Sequence, residues 1–458
     1  MALPQPEITL ATNPLMNHEI QLAAGRMRLA CLAGLALMLL FTAASRSPAQ
    51  SATPAPVTTH SAFNIQSATR SYLDRLTPEK KQKSDAYFEG GYWIQLWDFL
   101  YGTAVAGLWL GTRLSARMRD WASRVTRFKL LHTVAYWIQY VFVTAILLFP
   151  FTIYVGFFRE HQYGMSNQNF GGWFGDFLKG LLVTMVLGSI ALVPIFALVR
   201  RAAGRWHLYA SGVLIAFLML VIVIGPVFIA PLFNKYTLLA DAKVLEPILS
   251  LARANGIPAT EVYQMDASRQ TKRISANVSG AFGTTRVTLN DNLLNRCALP
   301  EIEAVMGHEM GHYVLNHVYK MLGFLAVLVV LMMAAMRWSL DRLLAAFGAR
   351  WGLTGAGDLA VLPLALALIS GFAFALTPVM NTLIRTQEIE ADVFGLNAAR
   401  QPDGFAECAL KLSEYRKMEP GPIEEFIFYD HPSGATRIRT AMRWKAENLA
   451  TAPEATRP

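Results

Sequence analysis

The chain has 458 residues, of which 53% belong to the AVILMFWYC set and only 16% are charged; its mean hydropathy is +0.32. An average soluble domain carries about 25% charged residues. So much apolar surface at so low a charge density excludes a purely soluble enzyme and a disordered scaffold. The net charge of +9 fits basic loops gathered on one side of a membrane, and no aromatic-basic module supports a nucleic-acid partner. Cys31, Cys297 and Cys408 include no CxxC pair, which leaves neither a disulfide framework nor a zinc ribbon.

In chain order, residues 1–50 read as a leader or signal anchor. Arg26 and Arg28 precede an apolar run over 29–44, which small residues follow. Residues 51–90 read as an extramembrane linker with a short helix. Further apolar runs occupy 91–111, 134–157, 181–199, 208–232, 321–336 and 359–384. With the leader they make about seven candidate spans, and helices are the open-chain element that satisfies its own backbone in lipid. Asp98 lies near the start of the second run, at an interfacial depth. The expected fold is mainly α, a polytopic membrane helical bundle. A small α+β zincin-like catalytic domain is built from two separated segments. The expected divisions are four spans over 91–232, a first catalytic segment over 233–319, two spans over 320–384 and a second catalytic segment over 385–458. Two spans between the segments return the chain to one side of the membrane. One strand is legible, at Arg286-Val287-Thr288-Leu289.

The chemistry is carried by His308-Glu309-Met310-Gly311-His312. Pro300 suits the first turn of a helix, and Glu301 and Glu303 suit its positive end. Residues four apart share a helix face, so His308 and His312 present two imidazoles to one Zn²⁺. Glu309 is one residue round, within reach of a metal-activated water as general base. After the last apolar run, Glu388 and Asp392 are again four apart. Glu388 supplies the third ligand, and Asp392 is placed to hold a ligand histidine by its second nitrogen. Glu390 points elsewhere and reads as a solvated acid. His317 reads as interfacial rather than as a ligand. Nine residues separate His312 from Met321, so the ligand helix reads as running straight into a span, with the zinc site close to the membrane.

These motifs in this order resemble the integral-membrane HExxH zinc metalloproteases, a family that includes the type I CAAX prenyl endopeptidases and the bacterial heat-shock membrane protease. The likeness rests on His308/Glu309/His312, Glu388/Asp392, His431-Pro432 and Arg437. It also rests on Pro231-Leu232-Phe233-Asn234-Lys235 after a span, and on the stretches 275–280 and 286–294. Asn277-Val278-Ser279-Gly280 departs from the family's Asn-Ala-aromatic, which bears on substrate rather than on chemistry. The resemblance implies that His431 stabilises the oxyanion, that Arg437 ties the C-terminal helix to the site carboxylates, and that Asn277 lies on an edge strand that pairs with substrate. It implies a CAAX prenyl protease 1-like endopeptidase with one Zn²⁺ per chain, acting on membrane-associated or lipid-modified polypeptides.

Two other readings compete. A site-2-type intramembrane protease would use Gln401-Pro402-Asp403-Gly404, but that tetrapeptide follows a charged helix. A seven-helix receptor or transporter would bind no zinc. Orientation divides the signals. The loops with Arg113, Arg117, Arg119, Arg124, Arg127 and Lys129, with Arg200, Arg201 and Arg205, and with Arg337, Arg342 and Arg350 are strongly basic. The positive-inside rule makes them cytoplasmic and the catalytic segments extracytoplasmic on a bacterial inner membrane. The family resemblance implies a cytosolic catalytic domain.

Overall fold

A computed structural model describes residues 63–202, 204–279 and 285–449. Helix α1 (Ile65–Leu73) precedes the long α2 (Pro78–Gly111), the short α3 (Leu114–Val125) and α4 (Lys129–Ile153). A π segment, Tyr154–Phe158, and one further turn prolong α4 to Gln162. Helices α5 (Phe170–Arg201) and α6 (Trp206–Ile224) complete the N-terminal half. Beyond the first catalytic segment come α10 (His317–Trp351) and α11 (Leu362–Ala399), numbered after the intervening elements given below.

Five helical stretches are long and apolar enough to span a bilayer: Lys129–Gln162, Phe170–Arg201, Trp206–Leu232, His317–Trp351 and Leu359–Ala399. These take up five of the six apolar runs that fall among the described residues. The 29–44 run lies outside them. The 91–111 run is the second half of α2, whose first turns carry Glu79, Lys80, Lys81 and Lys83, and Asp98 is an exposed residue of that helix. Neighbouring helices pack in the succession α4–α5–α6–α10–α11–α2, and the ring closes where α2 meets α4. In these spans no apolar window is more than 33% buried, and that of α6 is 0% buried. The helices share a packed core that includes Trp109, Tyr136, Phe196, Trp206 and Leu340, and much of their remaining apolar surface is left uncovered.

The basic loops converge at one end of the ring. Arg113 at the α2–α3 turn donates to the Arg350 carbonyl through Nε at 2.8 Å. Arg119 pairs with Asp358, and Arg337 donates to the Gly204 carbonyl.

The catalytic segments lie at the other end. A four-stranded sheet has the order β1-β2-β4-β3, built from β1 (Tyr236–Leu238), β2 (Val262–Met265), β3 (Ala276–Ser279) and β4 (Arg286–Asn290). β2 and β4 run parallel, while β1 and β3 are antiparallel to their neighbours. The sequence made one of these strands legible. Helix α7 (Ala242–Ala254) lies between β1 and β2, and α8 (Asp291–Arg296) leads into α9 (Leu299–Val314). The C-terminal segment adds α12 (Pro402–Lys411), α13 (Pro422–Phe428) and α14 (Gly434–Asn448). Ile248, Val262, Val287, Leu289 and Leu293 pack with Ile302, Met306 and Met310 into one core between sheet and α9. A second core joins Leu73 of α1 to Phe405, Ile438 and Trp444.

Candidate active site

Helix α9 begins where its sequence asks it to. Pro300 fills the first turn, and the Ala298 amide donates to Glu301 Oε2 at 2.8 Å. Lys411 Nζ holds the same carboxylate at 2.6 Å. Three successive pairs then serve three faces, each about 100° round from the last. Met306 and Met310, both 0% exposed, enter the sheet core. Gly307 and Gly311 lie against α11, and His308 and His312 face the site. The helix crossing is close because neither side has bulk. A Cβ on Gly311 would come within 3.1 Å of the Ala391 Cα, and one on Gly395 within 2.6 Å of the His308 nitrogen.

That approach sets Glu388 of α11 against the two histidines. Glu388 Oε2 is 3.2 Å from His308 Nε2 and Glu388 Oε1 is 3.3 Å from His312 Nε2. The two Nε2 atoms are themselves 3.1 Å apart. Ligand atoms of His308, His312 and Glu388 all lie within 4.8 Å of one another. The buried Glu388 Oε2 faces His308 Nε2 and His431 Nε2 without a well-directed hydrogen bond to either. Two imidazole nitrogens facing one point beside a carboxylate oxygen suit a divalent cation, which all three can ligate at once.

The other faces of these ligands are held in turn. Asp392 Oδ1 is 2.8 Å from His308 Nδ1. Arg437 of α14 donates to Asp392 through Nε at 3.0 Å and also through Nη2. Burial would lower the His308 pKa, but Asp392 and Glu388 push it up to about 10. The same negative field attracts a cation. Burial also opposes the charge on Arg437, yet Asp392 and Glu388 raise its pKa above the ordinary value. Glu309 is half-buried, and desolvation raises its carboxyl pKa against the pull of His308 and His312. His431 brings Nε2 to 3.3 Å from Glu388 Oε2 and Nδ1 to 2.8 Å from Asp430 Oδ1. A cavity of about 210 Å³ opens beside these groups, lined by Ser275, Ala276, His308, Glu309, His431 and Arg437 among others. Asn277 lies on β3, opposite Thr288 of β4. Strand β3 is the outer strand of the sheet on the side that touches α9, and Asn277 is exposed.

Two readings of the sequence need correction. Helix α9 does not run into the span: it stops at Val314, and Asn316, at a left-handed φ of 58°, turns the chain before α10. His317, the first residue of that candidate span, is consequently buried at 2% exposure. Glu390 is bound by His317 and Lys320 rather than solvated. The site-2-type motif is accounted for otherwise. Asp403 is taken up by Tyr72 at 2.8 Å and by Lys445 at 2.6 Å, while Gly404 makes room for the Pro300 carbonyl. The sequence reading passed over Gly307, Gly311 and Gly395, although their spacing of four or one turn beside the ligands was a visible signal of a close crossing.

Fold and site together define a metalloprotease built into a membrane helix bundle, with a pair of imidazoles and a carboxylate on two crossing helices. The profile of Peptidase family M48 matches residues 239–445. That of the CAAX prenyl protease N-terminal region, described as five membrane helices, matches residues 63–235. The chain belongs to this family of CAAX prenyl protease 1-like membrane metalloproteases. The uncharacterized metalloprotease YhfN of Bacillus subtilis is 29% identical, over 74% of this chain and 79% of its own length. CAAX prenyl protease 1 of Saccharomyces cerevisiae is 27% identical, over 70% of this chain and 75% of its own. The crystal structure of S. mikatae Ste24p shares the fold with a TM-score of 0.69 at 22% identity, covering 82% of this chain and 95% of that one.

Proposed function

We propose that this multi-pass membrane metalloprotease binds one Zn²⁺ through His308, His312 and Glu388 and cleaves membrane-associated or lipid-modified polypeptides. The observation that carries the reading is the convergence of three ligand atoms within 4.8 Å, with Glu309 beside them on an open cavity. A lipid-modified substrate is supported by the names of the relatives, several of which are CAAX prenyl proteases. It is supported also by Glu388, which sits on the same 38-residue helix as the last span.

Bound there, zinc supplies Lewis-acid polarisation of a peptide carbonyl and a more acidic water. Glu309 takes the proton of the attacking water and later delivers it to the leaving amine, a role that a carboxyl with a raised pKa serves in both directions. His431, oriented by Asp430, donates to the oxyanion of the tetrahedral intermediate. Asp392 and Arg437 fix the ring of His308. The open edge of β3, with Asn277, receives the substrate as an added strand. Substrates trapped on Glu309→Gln protein and identified by mass spectrometry test this reading. Soluble proteins without lipid or membrane anchor among the catch would overturn the substrate class, and purified wild-type chain without bound zinc would overturn the site.

The orientation we propose is extracytoplasmic, on a bacterial inner membrane. Its support is the gathering of Arg113, Arg119, Arg337 and their neighbours at the end of the ring away from the site, with Asp120, Asp341 and Asp358 as the acids among them. An active C-terminal alkaline phosphatase fusion and a dark C-terminal fluorescent protein are expected. The reverse pair of results places the site in the cytosol.

A further inference from the structure

The turn at Asn316 has a chemical consequence. On a continuous helix His317 would stand about 140° round from His312. The left-handed Asn316 folds it back instead, so that His317 Nδ1 lies 2.9 Å from His312 Nδ1. On its other side His317 Nε2 is 3.0 Å from Glu390 Oε2. Lys320, one turn further along α10, holds the same oxygen at 2.9 Å. His317 itself is 2% exposed, while Glu390 and Lys320 reach towards solvent.

Two imidazole Nδ1 atoms at this distance need one proton between them, and the site decides which ring carries it. His312 turns its Nε2 towards His308 and Glu388. A ligand nitrogen is unprotonated, so a neutral His312 carries its proton on Nδ1. His312 therefore donates to His317 Nδ1. His317, neutral in turn, keeps its proton on Nε2 and donates it to the Glu390 carboxylate. We propose that His317 and Glu390 are positioning residues, forming a directed chain from Lys320 through Glu390 and His317 to His312. The chain fixes the tautomer and ring plane of His312 and raises its strength as a ligand. His308 has the equivalent support from Asp392 and Arg437 on its own Nδ1, so each imidazole is backed by a carboxylate, one directly and one through a second ring. This inference rests on the zinc site proposed above.

The test uses the full chain purified in detergent. Zinc affinity is read by competition with a chromophoric chelator, and the visible spectrum of the cobalt(II)-loaded protein reports the ligand set. His317→Ala is expected to weaken zinc binding about 10- to 100-fold, the usual effect of removing a group that orients a metal ligand. His317→Gln is expected to recover most of the loss and to keep the wild-type cobalt spectrum. Its amide oxygen accepts from His312 while its nitrogen donates to Glu390. Glu390→Gln, which keeps an acceptor but not the charge, should fall between the two. Wild-type affinity in His317→Ala overturns the relay alone. Equal losses in the Ala and Gln variants do the same, because they show a packing role without direction. A wild-type chain that binds no zinc overturns the relay together with the site.

Discussion

The crossing of α9 on α11 and the ring of spans are both helix-on-helix packing, yet they are governed by different atoms. At the crossing, backbone meets backbone: Gly307, Gly311, Ala391 and Gly395 leave no side chain between the axes. In the ring, exposed apolar side chains such as Leu182, Val186 and Val223 dominate, and no span window exceeds 33% burial. The lipid-facing side of the ring has open space beside its side chains, whereas a methyl group on Gly395 would meet the His308 backbone. Catalytic geometry sits where tolerance is least, because Glu388 reaches His308 and His312 only at that separation.

The sharpest way to break this contrast is Gly395→Ala. Its Cβ would stand 2.6 Å from the His308 backbone nitrogen, so the helices must part, at about 1–3 kcal/mol or more for an overpacked core. Zinc content by atomic absorption and peptidase activity should both collapse. Retention of either would show that the crossing has slack. Next in size, Glu309→Gln should lower turnover by roughly 10²- to 10⁴-fold, the usual contribution of a general base, with zinc content unchanged. Undiminished cleavage would remove Glu309 from the mechanism. Asp392→Asn keeps the shape but loses the charge shared by His308 and Arg437. An effect of about 10- to 100-fold on zinc affinity is expected, measured by chelator competition. At the bottom of the scale, Val223→Leu in α6 should leave thermal stability within about 0.5 kcal/mol. A large drop there would mean that the span packs against something tightly after all.

Local periodicity made much of this legible in advance. The i, i+4 spacing of His308 and His312, and of Glu388 and Asp392, needs only 3.6 residues per turn to put each pair on one face. Pro300 and Glu301 marked the start of α9 for equally local reasons. Hydropathy over about 20 residues found the five helices that qualify as spans. The remaining run, 91–111, belongs to a helix that begins in a charged segment.

What the sequence by itself determined, then, was the spacing of the proposed ligands, the helices that carry them and the apolar runs around them, since each depends on neighbours a turn or two away. The tertiary structure decided the rest. Strand β2 pairs with β4 across some 25 residues of intervening chain, a choice that no local pattern encodes. His317 became a partner of His312 because a single left-handed residue, Asn316, interrupts what reads as continuous helix. Glu390 became its anchor because α11 passes alongside. Glycine spacing hints at a close crossing, but which helix comes close, and which carboxylate it brings, is settled by the whole fold competing for the same buried space.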